Sequence, residues 1–211
     1  MQTPASMVTG IVFAPLGLAL VFTAAITPQW REGQTLVGVG GGGEALLLRS
    51  DGLWESCLQV VHSELKRCWP ASGAYRRDGR VRLAQGLVLA SLFLCGAGIV
   101  LASVGVRCWT DLPLRGVAAA GGLSVALAGV LSLTALAVYT HYLLVLGAER
   151  LPQPTLPKLT LRPAGSLYFG WVGGCVQLLG GVALLLSFKR PRCPSCPKPA
   201  AADTEAYEVN C

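Results

Sequence analysis

Charge is scarce in this chain of 211 residues: Asp, Glu, Lys and Arg together make up 13%, against about 25% in an ordinary globular domain. Hydrophobic residues make up 53%, so a conventional water-soluble fold is excluded and the chain reads as an integral membrane protein. Histidine is almost missing. His62 and His141 stand alone, with no partner set for a metal or catalytic site, and no cofactor is expected. Glycine is abundant but not in a nucleotide-binding arrangement, because the Gly40 to Gly43 run lacks both the following helix with a Lys and the defined glycine spacing of phosphate loops. Inside the apolar stretches Asp, Glu, Lys and Arg are absent, and apart from His141 near the end of the third the polar residues are mainly Gln85, Gln177 and hydroxyls. An intramembrane enzyme or transporter would show ionisable groups there. Enzymatic activity is therefore not expected, and any permeation route lies between molecules.

Four uncharged runs are long enough to cross a bilayer: Met7 to Thr27, Leu83 to Val106, Gly116 to Leu146 and Ala164 to Phe188. Spans of this length satisfy their backbone in lipid only as helices. No basic residue precedes the first run, and it exceeds a signal-peptide core, so it is expected to be retained as a span. The third run would extend about 46 Å as a helix, well past a hydrocarbon core of about 30 Å, and its C-terminal end is expected to project from the bilayer. Residues 1–188 then form one membrane domain with loops at 28–82 and 147–163, and residues 189–211 form a tail. Small residues at Ala120, Gly121, Gly122, Gly129, Gly173, Gly174, Gly180 and Gly181 allow close helix contact within the bundle.

Cys57 and Cys68 in the first loop imply that it lies on the oxidising side of the membrane, where a bridge supplies order that a small loop domain cannot draw from burial alone. Trp30, Leu53 and Trp54 are candidates to pack over such a bridge. Short apolar pieces at Thr35 to Val39, Ala45 to Leu48 and Leu53 to Trp54, around the Gly40 to Gly43 tip, predict a hairpin meander. Pro152, Pro154, Pro157 and Pro163 bar a helix from the second loop, although one edge strand at Lys158 to Leu161 fits. Lys189, Arg190, Arg192 and Lys198 follow the last span, which suits a cytoplasmic tail, whereas Arg76, Arg77, Arg80 and Arg82 crowd the other side. The cysteines decide for cytoplasmic termini. Cys193 and Cys196, beside the basic tail, are candidates for palmitoylation and contact with membrane lipid. Cys95 and Cys175 read as small packing residues, and Cys108 lies at the cytosolic boundary.

The pattern of Trp30, then Gly52, Leu53 and Trp54, then Cys57 and Cys68 resembles the signature of the claudins, the strand-forming proteins of tight junctions. Gly105-Val106-Arg107-Cys108 resembles the segment that closes their second span. Ala120 to Gly122, through Gly129, to Val138-Tyr139-Thr140-His141 resembles their third, and Ser166 to Trp171 with Leu178 to Gly181 resembles their fourth. The resemblance covers roughly residues 5 to 188. It implies a disulfide between Cys57 and Cys68. It also implies an all-α membrane fold, a left-handed four-helix transmembrane bundle carrying a small extracellular antiparallel β-sheet built from the two extracellular loops. The implied function is that of a claudin-like tight-junction protein in the plasma membrane. It would self-associate and pair with other claudins in the same and the opposing membrane, sealing or tuning the paracellular space.

Three departures matter for function, and the last two of them bear on assembly. Gln85 stands near the place where claudins carry an Arg, Gly73-Ala74-Tyr75-Arg76-Arg77 replaces an apolar run linked to lateral contacts, and the aromatic-Asn-Pro element of the second loop is missing. These favour an alternative: a four-span regulatory subunit of a channel or of membrane traffic, as in the calcium-channel gamma and peripheral-myelin groups. The ending Tyr207-Glu208-Val209-Asn210-Cys211 places two residues after the valine, which weakens capture by a PDZ scaffold. In claudins the residue after the second cysteine often sets pore charge. Here it is the uncharged Trp69, with Lys66 and Arg67 as the nearest cations. The first loop carries a net +2 and the second another +2, so a barrier that disfavours cations is expected.

Overall fold

The computed structural model describes residues 5–39, 43–60, 66–71, 73–106, 115–143 and 162–188. Four helices are long and apolar enough to cross a membrane: α1 (Ala5–Ile26), α3 (Gly79–Val106), α4 (Arg115–His141) and α5 (Gly165–Phe188). Between α1 and α3 run β1 (Arg31–Val39), β2 (Gly43–Asp51), β3 (Glu55–Val60), β4 (Lys66–Pro70) and the short helix α2 (Gly73–Arg77). The strand β5 (Arg162–Pro163) precedes α5.

Glycines seven residues apart recur where the helices touch. Gly10 and Gly17 of α1 meet Leu184 and Gln177 of α5, while Gly173 and Gly180 of α5 meet Leu20, Val21 and Phe13 of α1. Gly98 and Gly105 of α3 face Gly121 and Ala118 of α4. A period of seven holds one stripe against a neighbour in left-handed packing, and the missing Cβ lets backbones approach where lipid offers no hydrophobic drive. At Gly105 a Cβ would lie 2.6 Å from the Ala118 amide nitrogen, so even alanine forces these helices apart.

Two helix ends differ from expectation. α3 begins at Gly79, four residues before the apolar run, because Asp78 accepts the Arg80 backbone N–H at 3.0 Å and caps the helix. α4 stops at His141, not at Leu146: Leu143 N–H bonds Thr140 O at 3.3 Å in a tight last turn, and Leu143 is buried in the core. Residues 144–146 lie outside the described ones.

The sheet is antiparallel with strand order β4-β3-β2-β1-β5, so the second loop adds the fifth strand beside β1. β1 and β2 form the hairpin around the glycine tip, pairing Val39 with Gly43. Leu53 and Trp54 are not a strand. They lie in the turn between β2 and β3, where the register reverses. The segment Lys158 to Leu161, expected as an edge strand, lies outside the described residues, and the edge strand beside β1 is Arg162–Pro163. His62 and the whole tail, with Cys193 and Cys196, also lie outside them.

Candidate functional site

The sheet is seated on the bundle through the turn that carries Gly52, Leu53 and Trp54. Gly52 passes so close to the end of α1 that a Cβ there would lie 2.5 Å from Pro28 Cα, which only glycine permits. Leu53 is fully buried in the larger core cluster, together with Trp30, Tyr75, Val81 and Tyr139. Its carbonyl accepts the Gln85 side-chain N–H at 2.7 Å. Trp30 is also buried, donating Nε1–H to Ala24 O at 2.7 Å and meeting the Tyr139 ring edge-on at 4.9 Å. An indole needs a hydrogen-bond partner when buried, and the Ala24 carbonyl in the last turn of α1, with Pro28 offering it no N–H, supplies one.

Immediately above these residues sits a buried ion cluster. Arg31 bonds Asp51 at 2.9 Å with side-chain exposures of 3% and 0%, and Arg49 Nε–H bonds the other carboxylate oxygen at 3.1 Å. The Arg31 guanidinium lies 4.4 Å over the Tyr75 ring. The Tyr75 hydroxyl in turn bonds Gly52 O at 3.0 Å and Tyr139 Oη at 2.8 Å, tying α2, the turn and α4 together. Burial pushes the Tyr75 phenol up to about 12, against smaller downward pulls from the Tyr139 hydrogen bond and the Arg31 charge. Ser166 at the start of α5 donates to Gln29 O, and Ala164 N–H bonds Trp30 O at 3.1 Å, which brings the second loop onto the same seat.

Cys57 and Cys68 are disulfide-bonded across directly paired positions of β3 and β4, with Cα atoms 4.1 Å apart. Cys57 is buried at this bridge, outside the core cluster that takes Trp30 and Leu53. Trp30 and Leu53 turn down into the bundle, Trp54 stays 37% exposed, and Cys68 is exposed. β3 is held by its ladder to β2, and β4 by its ladder to β3.

Register sorts the candidate charge residues onto two faces, since side chains alternate along each strand. One face carries the row Arg31, Asp51, Ser56, Trp69 and above it the row Gly33, Arg49, Leu58, Arg67. The other carries Glu32, Ser50, Cys57, Cys68 and then Gln34, Leu48, Gln59, Lys66. Lys66 and Arg67, adjacent in sequence, therefore point to opposite sides. Both are exposed, and Trp69 is half-buried. Beyond the sheet, Arg76, Arg77 and Arg82 are exposed, while Arg80 lies 4.1 Å over the Tyr142 ring.

Sequence reasoning missed Arg31, Asp51, Tyr75 and Tyr139 as a connected unit. One signal was available: each half of the tryptophan motif has a charged neighbour of opposite sign, Arg31 after Trp30 and Asp51 before Gly52. The missing arginine near Gln85 is made good in part, because the glutamine still donates to the turn.

Residues 4–184 match the family described as PMP-22/EMP/MP20/Claudin. Claudin-23 of Mus musculus is 35% identical over 213 residues, covering 100% of this chain and 70% of that protein. Claudin-23 of Homo sapiens is 35% identical over 89% of this chain and 62% of its own length, so the chain spans about two thirds of these relatives. Claudin-19 of Rattus norvegicus is 26% identical over 92% of this chain and 83% of its own. Four apolar helices, a five-stranded antiparallel sheet and a bridge between Cys57 and Cys68 complete the picture, and this chain belongs to the PMP-22/EMP/MP20/claudin family.

Proposed function

We propose that the protein works at tight junctions, associating with itself and with other claudins in the same and the opposing membrane to seal or tune the paracellular space. In this reading both termini are cytoplasmic, Cys193 and Cys196 carry palmitoyl chains that hold the tail to the inner leaflet, and a PDZ scaffold has at most a weak hold on the tail. The barrier disfavours cations, with a weak anion preference where it conducts. The observation that supports this charge preference is the shared face of Arg49, Arg67 and Trp69. Asp51 offsets only one of the two arginines bonded to it, so a net positive charge, at the half-exposed Arg49 and the exposed Arg67, remains to act on a narrow gap within a Debye length of about 8 Å. If the face with Trp69 lines the gap, Lys66 points away from it.

Dilution potentials across an epithelial layer expressing the chain test this directly. Arg67→Ala is expected to raise relative cation permeability, and Lys66→Ala to change it less. A clear cation preference in the unmutated protein overturns the proposed barrier. A second reading, a regulatory subunit that forms no strands, draws on α2, where the exposed Arg76 and Arg77 replace the apolar residues linked to lateral contacts in claudins.

A further inference from the structure

The bundle holds two separate apolar clusters. The larger, under the sheet, includes Val88 of α3 with Ala135 and Leu136 of α4, and the smaller includes Cys95 of α3, Val125 and Ala128 of α4, and Ala14 of α1. What separates them follows from the antiparallel register of α3 and α4. Close approaches of Gly105 to Ala118, Ala102 to Gly121 and Gly98 to Val125 advance one helix as they retreat along the other. Continued at the same register, Cys95 falls opposite Ala128 and Val88 opposite Ala135. Each of these pairs belongs to a single cluster, as it should. Between them Ser91 falls opposite Ser132.

Ser91, Ser132 and Gln177 are all fully buried, although they lie in membrane-spanning helices. Ser132 Oγ lies 3.0 Å from Gly129 O and 3.2 Å from Gln177 Oε1, both of which are acceptors. A serine hydroxyl has one proton, so it cannot fully satisfy both. With the Gln177 amide turned over, Nε2 donates to Ser132 Oγ and Ser132 donates to Gly129 O. Either orientation leaves one terminus of the amide with no partner stronger than the neighbouring Cys95 thiol, a weak donor and acceptor. Among the described residues Gln177 Nε2 and Ser91 Oγ have no hydrogen-bond partner. In hydrocarbon an unsatisfied polar group costs several kcal/mol, so such a layer is unstable as a bare set of side chains.

We propose that this layer is a binding site for a single water molecule, held by the free terminus of the Gln177 amide, Ser91 Oγ and Ser132 Oγ. Water fits where a fixed group does not, because it donates or accepts as required and takes two to four partners in buried sites. It also links α3 to α4 and α5 at the level where the apolar core is interrupted. The inference stands apart from the junctional reading and concerns the bundle alone.

Water-edited solid-state NMR on the full chain in lipid bilayers tests it. The probe is water itself, with a soluble paramagnetic chelate quenching the response of bulk and surface water, and Gln177→Leu assigns the side-chain amide peak. The expected result is a water correlation at the Gln177 amide that survives the chelate and disappears in Ser91→Val, with the remaining spectrum unchanged. Should Ser91→Val fail to fold, Ser91→Ala removes one partner at near-constant volume and should weaken the correlation several-fold. No correlation in the unmutated protein, or one of full strength in the Ser91 variants, overturns the site.

Discussion

Replacing Asp51 by alanine removes a carboxylate that Arg31 and Arg49 share, and leaves the Arg31 guanidinium buried at 3% exposure. Breaking a buried pair from one side costs about 3–5 kcal/mol, because the remaining charge stays desolvated. Contact with the Tyr75 ring at 4.4 Å softens the loss, which argues for the lower end. Arg49, with 41% of its side chain exposed, adds less than about 1 kcal/mol. The expected total of about 3 to 4 kcal/mol is a large part of the roughly 5–15 kcal/mol that holds a typical domain folded. Denaturant unfolding in nanodiscs, followed by tryptophan fluorescence, measures it. The double variant Arg31→Met, Asp51→Leu is the control: removing both charges should recover most of the loss, since apolar replacements of buried pairs are often neutral. A cost below about 1 kcal/mol in Asp51→Ala, or no recovery in the double variant, would refute the reading of Arg31 and Asp51 as a buried, strongly coupled pair.

Cys57→Ala should cost the extracellular unit about 2–5 kcal/mol and impair surface delivery, since it opens the bridge between β3 and β4. Mass spectrometry of surface-purified protein that finds both cysteines as free thiols would contradict it. Tyr75 should make the fold sensitive to alkali. Its phenol is neutral and raised from 10.0 to about 12, so its stabilisation is whole below pH 10 and lost as pH climbs through about 12. Tyr75→Phe should flatten the alkaline unfolding profile in that window at a cost of about 1 kcal/mol in lost hydrogen bonds, and an unchanged slope would count against the burial described.

The spans were legible because uncharged runs of this length have few other fates, and the close helix contacts because glycine is costly inside a helix unless a neighbour needs the room. Helix ends were less so. Hydropathy does not register Asp78 as a cap, so the four residues from Gly79 to Arg82, two of them arginines, looked like loop although they begin α3. The pair Leu53 and Trp54 looked like a piece of strand because it is apolar, yet its role is to cross from the sheet to the bundle, a long-range contact with no local period. Arg31 and Asp51 were counted as loop charge for the same reason: twenty residues separate them in the chain, and only the register of β1 against β2 makes them neighbours. Tyr75 stood out only as an interruption of an apolar run, while in the structure it is the link between the turn and Tyr139.

Freeze-fracture electron microscopy of fibroblasts that express the chain and lack other claudins tests junctional self-association most directly. A protein that polymerises in the membrane and across the intercellular gap should produce continuous strands at cell contacts, and Asp51→Ala should reduce them by loosening the sheet. Protein at the cell surface with its Cys57–Cys68 bridge intact, but with no strands at any contact, would contradict the junctional role and leave the regulatory subunit in its place.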